Sequence, residues 1–259
     1  MPYIEYCSSL IFYETCGEGK PLLFIHDWNT SSRLFKRFCP AHFFKNYMVI
    51  LFDLPGFGKS EMIHTMEPDT IRCIINKILD ELCINEISVM GLCLGSVFAL
   101  DYAIKESRRV IRLFLLEPII TFPCIFCLFF SPVAGRYFLR FCLKTKPGLW
   151  LFNRIALKHD GFYSKMLNGI VSKVNADNSL YYLKMLYVYS TINHYEKAKN
   201  INAKTVIITG SKTFKHIKKC AIKLNVVIPD STEKKLGGVG HFLLLEAFNE
   251  ICSIIENDL

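Results

Sequence analysis

The stretch Ile87-Ser88-Val89-Met90-Gly91-Leu92-Cys93-Leu94-Gly95-Ser96-Val97-Phe98-Ala99-Leu100 decides the fold. It predicts a short apolar strand, a sharp turn between two glycines, and then a helix. The spacing Gly91-x-Cys93-x-Gly95 is that of the G-x-S-x-G nucleophile elbow, with cysteine in the serine position. Such a turn strains its central residue, and a Cβ two residues to either side would strike the strand or the helix. In return, the central side chain stands at a helix N-terminus, where backbone N–H groups and the helix dipole favour negative charge. A thiol there is expected to ionise below its ordinary value of about 8.5. The alternative is a buried structural cysteine between two turn glycines.

Working outward from this stretch, strands and helices alternate. Pro21 to His26 and Tyr47 to Phe52 are continuous apolar runs, as strands buried on both faces should be. Ser31 and Ser32 are placed to cap a helix running to about Phe44, and Ile71, Ile74, Ile75, Ile78 and Leu82 recur at helical spacing between Pro68 and Leu82. Val110 to Leu116 is a further buried strand, ending in Glu117-Pro118. After a middle block without this alternation come a strand at Thr205 to Thr209, a helix near Phe214 to Ile222, a strand at Asn225 to Ile228, and a helix after Gly240-His241. Strands alternating with helices imply an α/β fold with a doubly wound, mostly parallel sheet. The expected division is a core of residues 1–117 and 201–259 and an inserted helical cap of residues 118–200.

Composition narrows the function classes. A chain of 259 residues, 51% apolar and 14% aromatic, has material for one large domain with an insertion. No leader pattern opens the chain, and the longest uncharged apolar run, Pro118 to Pro132, is too short for an ordinary membrane span. Eleven cysteines without framework spacing therefore predict reduced thiols and a cytoplasmic location. Cys124-Ile125-Phe126-Cys127 has C-x-x-C spacing but lies in an apolar run with no second pair, so core packing is favoured over a metal. Gly58-Lys59-Ser60 resembles the tail of a phosphate-binding loop, yet Asp53 stands where that loop needs glycine, and the nucleotide reading is rejected. No metal, cofactor or nucleic-acid partner is expected. The net charge of +8 resides in the middle block: Pro118 to Asn200 holds eleven Lys/Arg against three Asp/Glu, and the remainder is neutral.

Four motifs in order resemble those of the capped α/β-hydrolase superfamily, over nearly the whole chain. His26-Asp27-Trp28 resembles its oxyanion loop, Asp53-Leu54-Pro55-Gly56-Phe57-Gly58-Lys59-Ser60 the loop after the next strand, Gly91-Leu92-Cys93-Leu94-Gly95 the elbow, and Gly240-His241-Phe242 the segment that delivers the catalytic histidine. The resemblance implies Cys93 as nucleophile, His241 as base and then acid, and the backbone N–H groups of Trp28 and Leu94 as oxyanion hole. His26 is read as structural. Asp27 replaces the usual glycine of the His-Gly pair, and its carboxylate would repel an oxyanion. The usual acid position holds Thr213, in Gly210-Ser211-Lys212-Thr213, and cannot carry charge. Asp230 is expected in the turn after the last strand. Glu117 is expected to be the acid instead, because Leu115-Leu116-Glu117-Pro118 resembles the acid-bearing strand end of the haloalkane dehalogenase-like branch. Dehalogenation itself is disfavoured, since a cysteine nucleophile would end as an inert thioether.

The expected function is a cysteine-dependent acyl hydrolase or acyltransferase acting on an ester, thioester or lactone with an apolar acyl group. Asp27, Asn29, Phe122, Phe126 and Trp150 are expected to line the substrate pocket, with plain cap packing as the alternative for the aromatics. The basic cap suits an acidic carrier protein or an anionic membrane surface, reached peripherally. The competing reading is a non-catalytic ligand-binding or scaffold protein that keeps the fold.

Overall fold

A computed structural model describes residues 2–39, 46–63, 65–122, 124–131, 134–152 and 175–258. Its strands are β1 (Tyr3–Tyr6), β2 (Ser9–Cys16), β3 (Lys20–Ile25), β4 (Tyr47–Phe52), β5 (Ile87–Leu92), β6 (Val110–Leu116), β7 (Lys204–Gly210) and β8 (Ser231–Leu236). They form one sheet in the order β1-β2-β4-β3-β5-β6-β7-β8. β2 runs antiparallel to both neighbours, and every other pairing is parallel. The central strands are apolar throughout because helices cover both faces. Helices α1 (Thr70–Glu81) and α2 (Leu94–Lys105) pack on it, and α2 is buried from Leu94 to Ala103. Among the described residues of 118–200, the segment expected as a cap, are a 3-10 helix at Cys124–Phe130, α3 (Ala134–Lys144), α4 (Lys146–Phe152), α5 (Ala176–Thr191) and α6 (His194–Ala198). The chain returns to the core for α7 (Lys215–Val227), α8 (Leu243–Glu246) and α9 (Phe248–Asp258). No helix among the described residues is long and apolar enough to cross a membrane.

Strand register positions the site. Ile25 on β3 pairs with Gly91 on β5, and Gly91 pairs with Leu115 on β6. Two residues beyond this aligned row stand Asp27, Cys93 and Glu117, so three loops release them side by side at the carboxyl edge of the sheet. That edge is where ligands bind in parallel α/β sheets.

Within the segment 118–200, Phe129, Leu139, Cys142, Leu143, Leu149, Ala176 and Leu183 form a small apolar cluster of their own. Helix α5 joins this cluster to the main core, into which it sends Tyr182, Met185, Leu186 and Tyr189. Residues 153–174 of the expected cap lie outside the described residues.

Several local expectations need correction. Asn225 to Val227 complete α7, and the last strand is Ser231–Leu236. Asp230 therefore precedes that strand, and its carbonyl accepts the Thr205 N–H near the start of β7, at the far end of the sheet from Cys93. Ser31 makes no side-chain cap, and Ser32–Phe38 is a 3-10 helix. Phe35 and Phe38 turn inward against Phe24, each at 4.9 Å between ring centroids. The part of that expected helix in residues 40–45 lies outside the described residues. The expectation of reduced thiols fails at one pair: Cys16, ending β2, and Cys39, just past the 3-10 helix, form a disulfide with Cα atoms 5.7 Å apart. Cys127 is exposed rather than packed in a core.

Candidate active site

The elbow is built by close backbone approach. A Cβ on Gly91 would stand 2.3 Å from the Gly95 carbonyl oxygen, and one on Gly95 would stand 2.2 Å from that of Ile25. The absence of both lets β5, α2 and β3 meet, and Cys93 takes the strain between them at φ +48°. Its N–H donates to Leu116 O at 2.8 Å, and its carbonyl accepts from Ser96 N at 3.0 Å. The Cys93 side chain is thereby fixed at the start of α2, 8% exposed.

Glu117 also has positive φ, +51°, and is fully buried. Its Oε1 accepts from Gly210 N at 2.8 Å, and its Oε2 accepts from the Thr213 hydroxyl. The same Oε2 lies 2.8 Å from His241 Nδ1. Thr213, which sequence reasoning set aside because it lacks a carboxylate, thus hydrogen-bonds the carboxylate that faces His241. His241 follows Gly240, whose N–H donates to Glu246 Oε2 at 2.7 Å, and the Phe214 ring packs against the imidazole at 5.2 Å. With Nδ1 on Glu117, the other ring nitrogen is left for Cys93 and Asp27. A Cys93, a His241 and an Asp27 donor atom lie within 4.8 Å of one another, near enough also to take a metal ion.

The two amides expected to form the oxyanion hole do converge, but on a side chain of the protein. Trp28 N donates to Asp27 Oδ1 at 2.6 Å, and Leu94 N donates to the same oxygen at 3.2 Å. The loop that carries Asp27 is rigid for separate reasons. His26 is fully buried, its Nε2 accepts from Leu54 N at 2.9 Å, and Nδ1, which must then carry the proton, donates to Asp27 O at 2.8 Å. Burial holds its pKa below the usual imidazole value, which suits this neutral, structural role. Thr30 donates twice more to Asp27 O, through N–H at 3.2 Å and Oγ1 at 2.7 Å.

The same carboxylate sets the electrostatics. Burial pushes the Cys93 thiol well above its ordinary pKa, the Asp27 charge and hydrogen bond push it further, and Glu117 adds to this. The Leu94 N–H works the other way and does not compensate. The expectation of an easily ionised thiol is thereby corrected: burial first, and then the Asp27 and Glu117 carboxylates, outweigh the donor at the helix N-terminus. For His241, burial opposes protonation, yet the hydrogen bond and charge of Glu117, with Asp27 and Glu246, outweigh it and hold its pKa above the usual value.

Helix α5 is tied to this loop and to the loop after β4. Trp28 Nε1 donates to Ser179 O at 3.1 Å, and the Ser179 hydroxyl donates to Asn29 Oδ1 at 2.5 Å. Asn29 is buried with φ +59°, a conformation asparagine tolerates better than most residues. Asn178 and Tyr182 of α5 donate to the carbonyls of Gly56 and Pro55 at 2.7 and 3.0 Å. Phe126 stands 6.0 Å from the Trp28 ring, and Phe122 packs on Phe126 and Phe130. Trp150 is 62% exposed, because Leu149 is the residue of α4 that turns inward. It is a surface residue, contrary to the pocket role expected of it.

A mostly parallel sheet in this order, a strained elbow at the head of a buried helix, and a histidine delivered to it from a late loop together define an α/β hydrolase. Residues 20–159 match the family described as the alpha/beta hydrolase fold, and the chain belongs to that family. It is 31% identical over 100 residues, 39% of this chain and 38% of the other, to the pimeloyl-(acyl-carrier protein) methyl ester esterase of Legionella pneumophila (strain Corby). It is 30% identical over 121 residues, 42% and 40% of the two chains, to the 2-hydroxy-6-oxo-6-phenylhexa-2,4-dienoate hydrolase of Comamonas testosteroni. The matches thus span well under half the length of these curated relatives. Among solved structures, the esterase EaEST of Exiguobacterium antarcticum aligns with a TM-score of 0.80 at 18% identity, over 98% of this chain and 97% of that one. MenH from S. aureus aligns at 0.79 and 19%, over 95% and 97%. At such identities the likeness shows the fold.

Proposed function

We propose that the chain is a cysteine-dependent acyl hydrolase or acyltransferase that works through Cys93, His241 and Glu117. The observation that carries the reading is the strained Cys93 at the head of α2, beside an imidazole whose far nitrogen is 2.8 Å from a buried carboxylate. In the first half-reaction the Cys93 sulfur bonds to the acyl carbon while His241 takes the thiol proton. The ester C–O bond then breaks, and His241 returns that proton to the leaving alkoxide. In the second, water or another acceptor attacks the thioester, giving its proton to His241, and the Cys93 sulfur leaves and is reprotonated. In this reading Trp28 N and Leu94 N, once released from Asp27, hold the oxyanion in each step. Glu117 fixes the ring tautomer and stabilises the imidazolium.

The esterases among the relatives support an ester substrate, and one of them acts on a methyl ester carried by acyl-carrier protein. The excess of positive charge in residues 118–200 fits such an acidic carrier, with an anionic membrane surface as the other partner of the same chemistry. Phe126, beside Trp28, and Phe122, packed on Phe126, are the aromatics this reading assigns to an apolar acyl chain. The scaffold reading draws support from one fact, the filling of the oxyanion hole by Asp27. Intact-mass analysis of the unmodified protein, mixed rapidly with p-nitrophenyl octanoate and quenched in acid during turnover, separates the two. An acyl adduct that maps to Cys93 and vanishes in Cys93→Ala is expected. Absence of any adduct, together with no ester turnover by the unmodified protein, would favour the scaffold.

A further inference from the structure

We infer that Asp27 is an internal competitor for the oxyanion hole, and that it makes turnover depend on how much of the substrate lies outside the reacting carbonyl. The inference rests on the acyl-transfer reading above and names what selects the substrate. The two N–H groups placed for a developing oxyanion both end on Asp27 Oδ1, at 2.6 and 3.2 Å. A carboxylate oxygen held by two amides at a helix start is already the kind of anion the hole would bind. A neutral ester carbonyl is a weaker acceptor and must expel it. Asp27 is tethered next to the hole, so it competes at high effective concentration.

The expelled carboxylate has somewhere to go. His241 is within 4.8 Å and becomes an imidazolium as Cys93 gives up its proton, so charge pairing develops as the hole is vacated. The backbone need not move, since Asp27 O stays bound to His26 and Thr30 whatever the side chain does.

Expelling Asp27 requires free energy from elsewhere in the substrate. A long acyl chain, or a carrier gripping the cap, supplies it on binding. The hole is then free in the bound complex, and the displacement shows up as a weaker apparent affinity. A short ester lacks those contacts, saturates the site with the hole still filled, and turns over slowly. Both classes carry the same penalty in kcat/KM; they differ in whether it falls on KM or on kcat. Asp27 is thus a specificity-determining residue acting on turnover at saturation.

The test compares wild type with Asp27→Asn and Asp27→Ala, using p-nitrophenyl acetate and p-nitrophenyl octanoate, and titrates each protein calorimetrically with octanoate. Losing one oxyanion donor costs about a hundredfold or more, so removing a competitor that engages two should recover about tenfold to a hundredfold. In Asp27→Ala the acetate ester should gain that factor in kcat, whereas the octanoate ester should gain it through a lower KM. Asp27→Asn, which keeps a neutral acceptor in place, should fall between. Octanoate, whose carboxylate can enter an emptied hole, should bind Asp27→Ala at least about tenfold more tightly. Unchanged octanoate affinity in a folded Asp27→Ala protein overturns the competitor role whether or not esters are turned over. An affinity gain without ester turnover in any form would leave the competitor standing and sink the acyl-transfer reading. Equal kcat gains for both esters would refute the length dependence.

Discussion

Replacing Glu117 by glutamine changes one atom and reverses a hydrogen bond. Glu117 accepts from three donors: Gly210 N on Oε1, and Thr213 and His241 on Oε2. A glutamine that keeps its oxygen on Gly210 N presents an NH2 group to Thr213 and His241. Thr213 can rotate its hydroxyl to accept. His241 Nδ1 can meet the NH2 only as an acceptor, which moves the ring proton to the nitrogen facing Cys93 and makes the imidazole the wrong tautomer for a base. The opposite amide orientation sets NH2 against Gly210 N–H in a fully buried place, at about 1–3 kcal/mol for the unmatched donor. In serine triads the wrong tautomer lowers turnover about 10⁴-fold. A cysteine that rests as a thiolate would feel less, about tenfold to a hundredfold. Here burial and Asp27 keep the thiol protonated, so His241 must remove a proton as it would from serine. The expected loss in kcat for Glu117→Gln is therefore about 10³-fold to 10⁴-fold, or roughly 4–5.5 kcal/mol at 1.36 kcal/mol per decade. Initial rates on p-nitrophenyl octanoate measure it, with the thermal midpoint as a check on folding and Asp230→Asn as a control that should lose little. A folded Glu117→Gln protein within threefold of wild type would refute the assignment.

The pH profile of kcat/KM should show an acid limb above 6.5, since the Glu117-held His241 must be neutral to act; a limb at or below 6.5 would contradict the raised pKa. His194 gives a stability prediction with a definite sign. It is buried in a stack on Tyr189 with a pKa lowered to about 4, first by burial and then by Lys197 and Lys105. Its stabilisation is present above about 6.5 and is lost as pH falls toward 4, up to roughly 3 kcal/mol, so His194→Phe should shrink the drop in thermal midpoint between pH 7 and pH 4.5. Gly95→Ala should destabilise by about 3 kcal/mol or prevent folding, read as a lowered thermal midpoint, because its Cβ would meet the Ile25 carbonyl, which is part of a central strand. If the basic cap meets an acidic carrier, KM for a carrier-bound ester should rise between 50 and about 300 mM salt while KM for a free ester stays flat.

What the chain revealed in advance follows its local rules. The elbow was legible because two glycines and a strained central residue are a steric requirement, and Cys93 indeed has positive φ. Glu117 was legible as a strand-end residue because parallel register carries neighbouring strand ends to one edge. The last strand was not: Ser231 to Leu236 is an edge strand of Ser, Thr, Glu and Lys, a composition that blocks further pairing and hides it from any search for apolar runs. Asn-Val-Val-Ile, which looks more like a strand, instead finishes a helix. The Cys16–Cys39 pair joins points 23 residues apart that only the folded sheet brings together. The place of the Asp27 carboxylate was hidden for another reason. Sequence gives the residue, but the direction of a short polar side chain is set by the donors around it, and those come from two different loops.

Trp28 belongs to two parts of the molecule at once. Its amide donates to the Asp27 carboxylate and its indole is fastened to α5 through Ser179. An inserted segment in such a fold looks like a module that evolution or an engineer could exchange at will. This fastening means it is not one. A foreign cap without a carbonyl where Ser179 offers its own would leave the indole N–H without that acceptor, on the very residue whose amide donates to Asp27. The new cap would then have to supply a replacement acceptor as well as its own pocket. The inheritance of substrate preference along this lineage is therefore expected to run through paired changes, one in the cap and one in the residues just after β3, rather than through the cap alone.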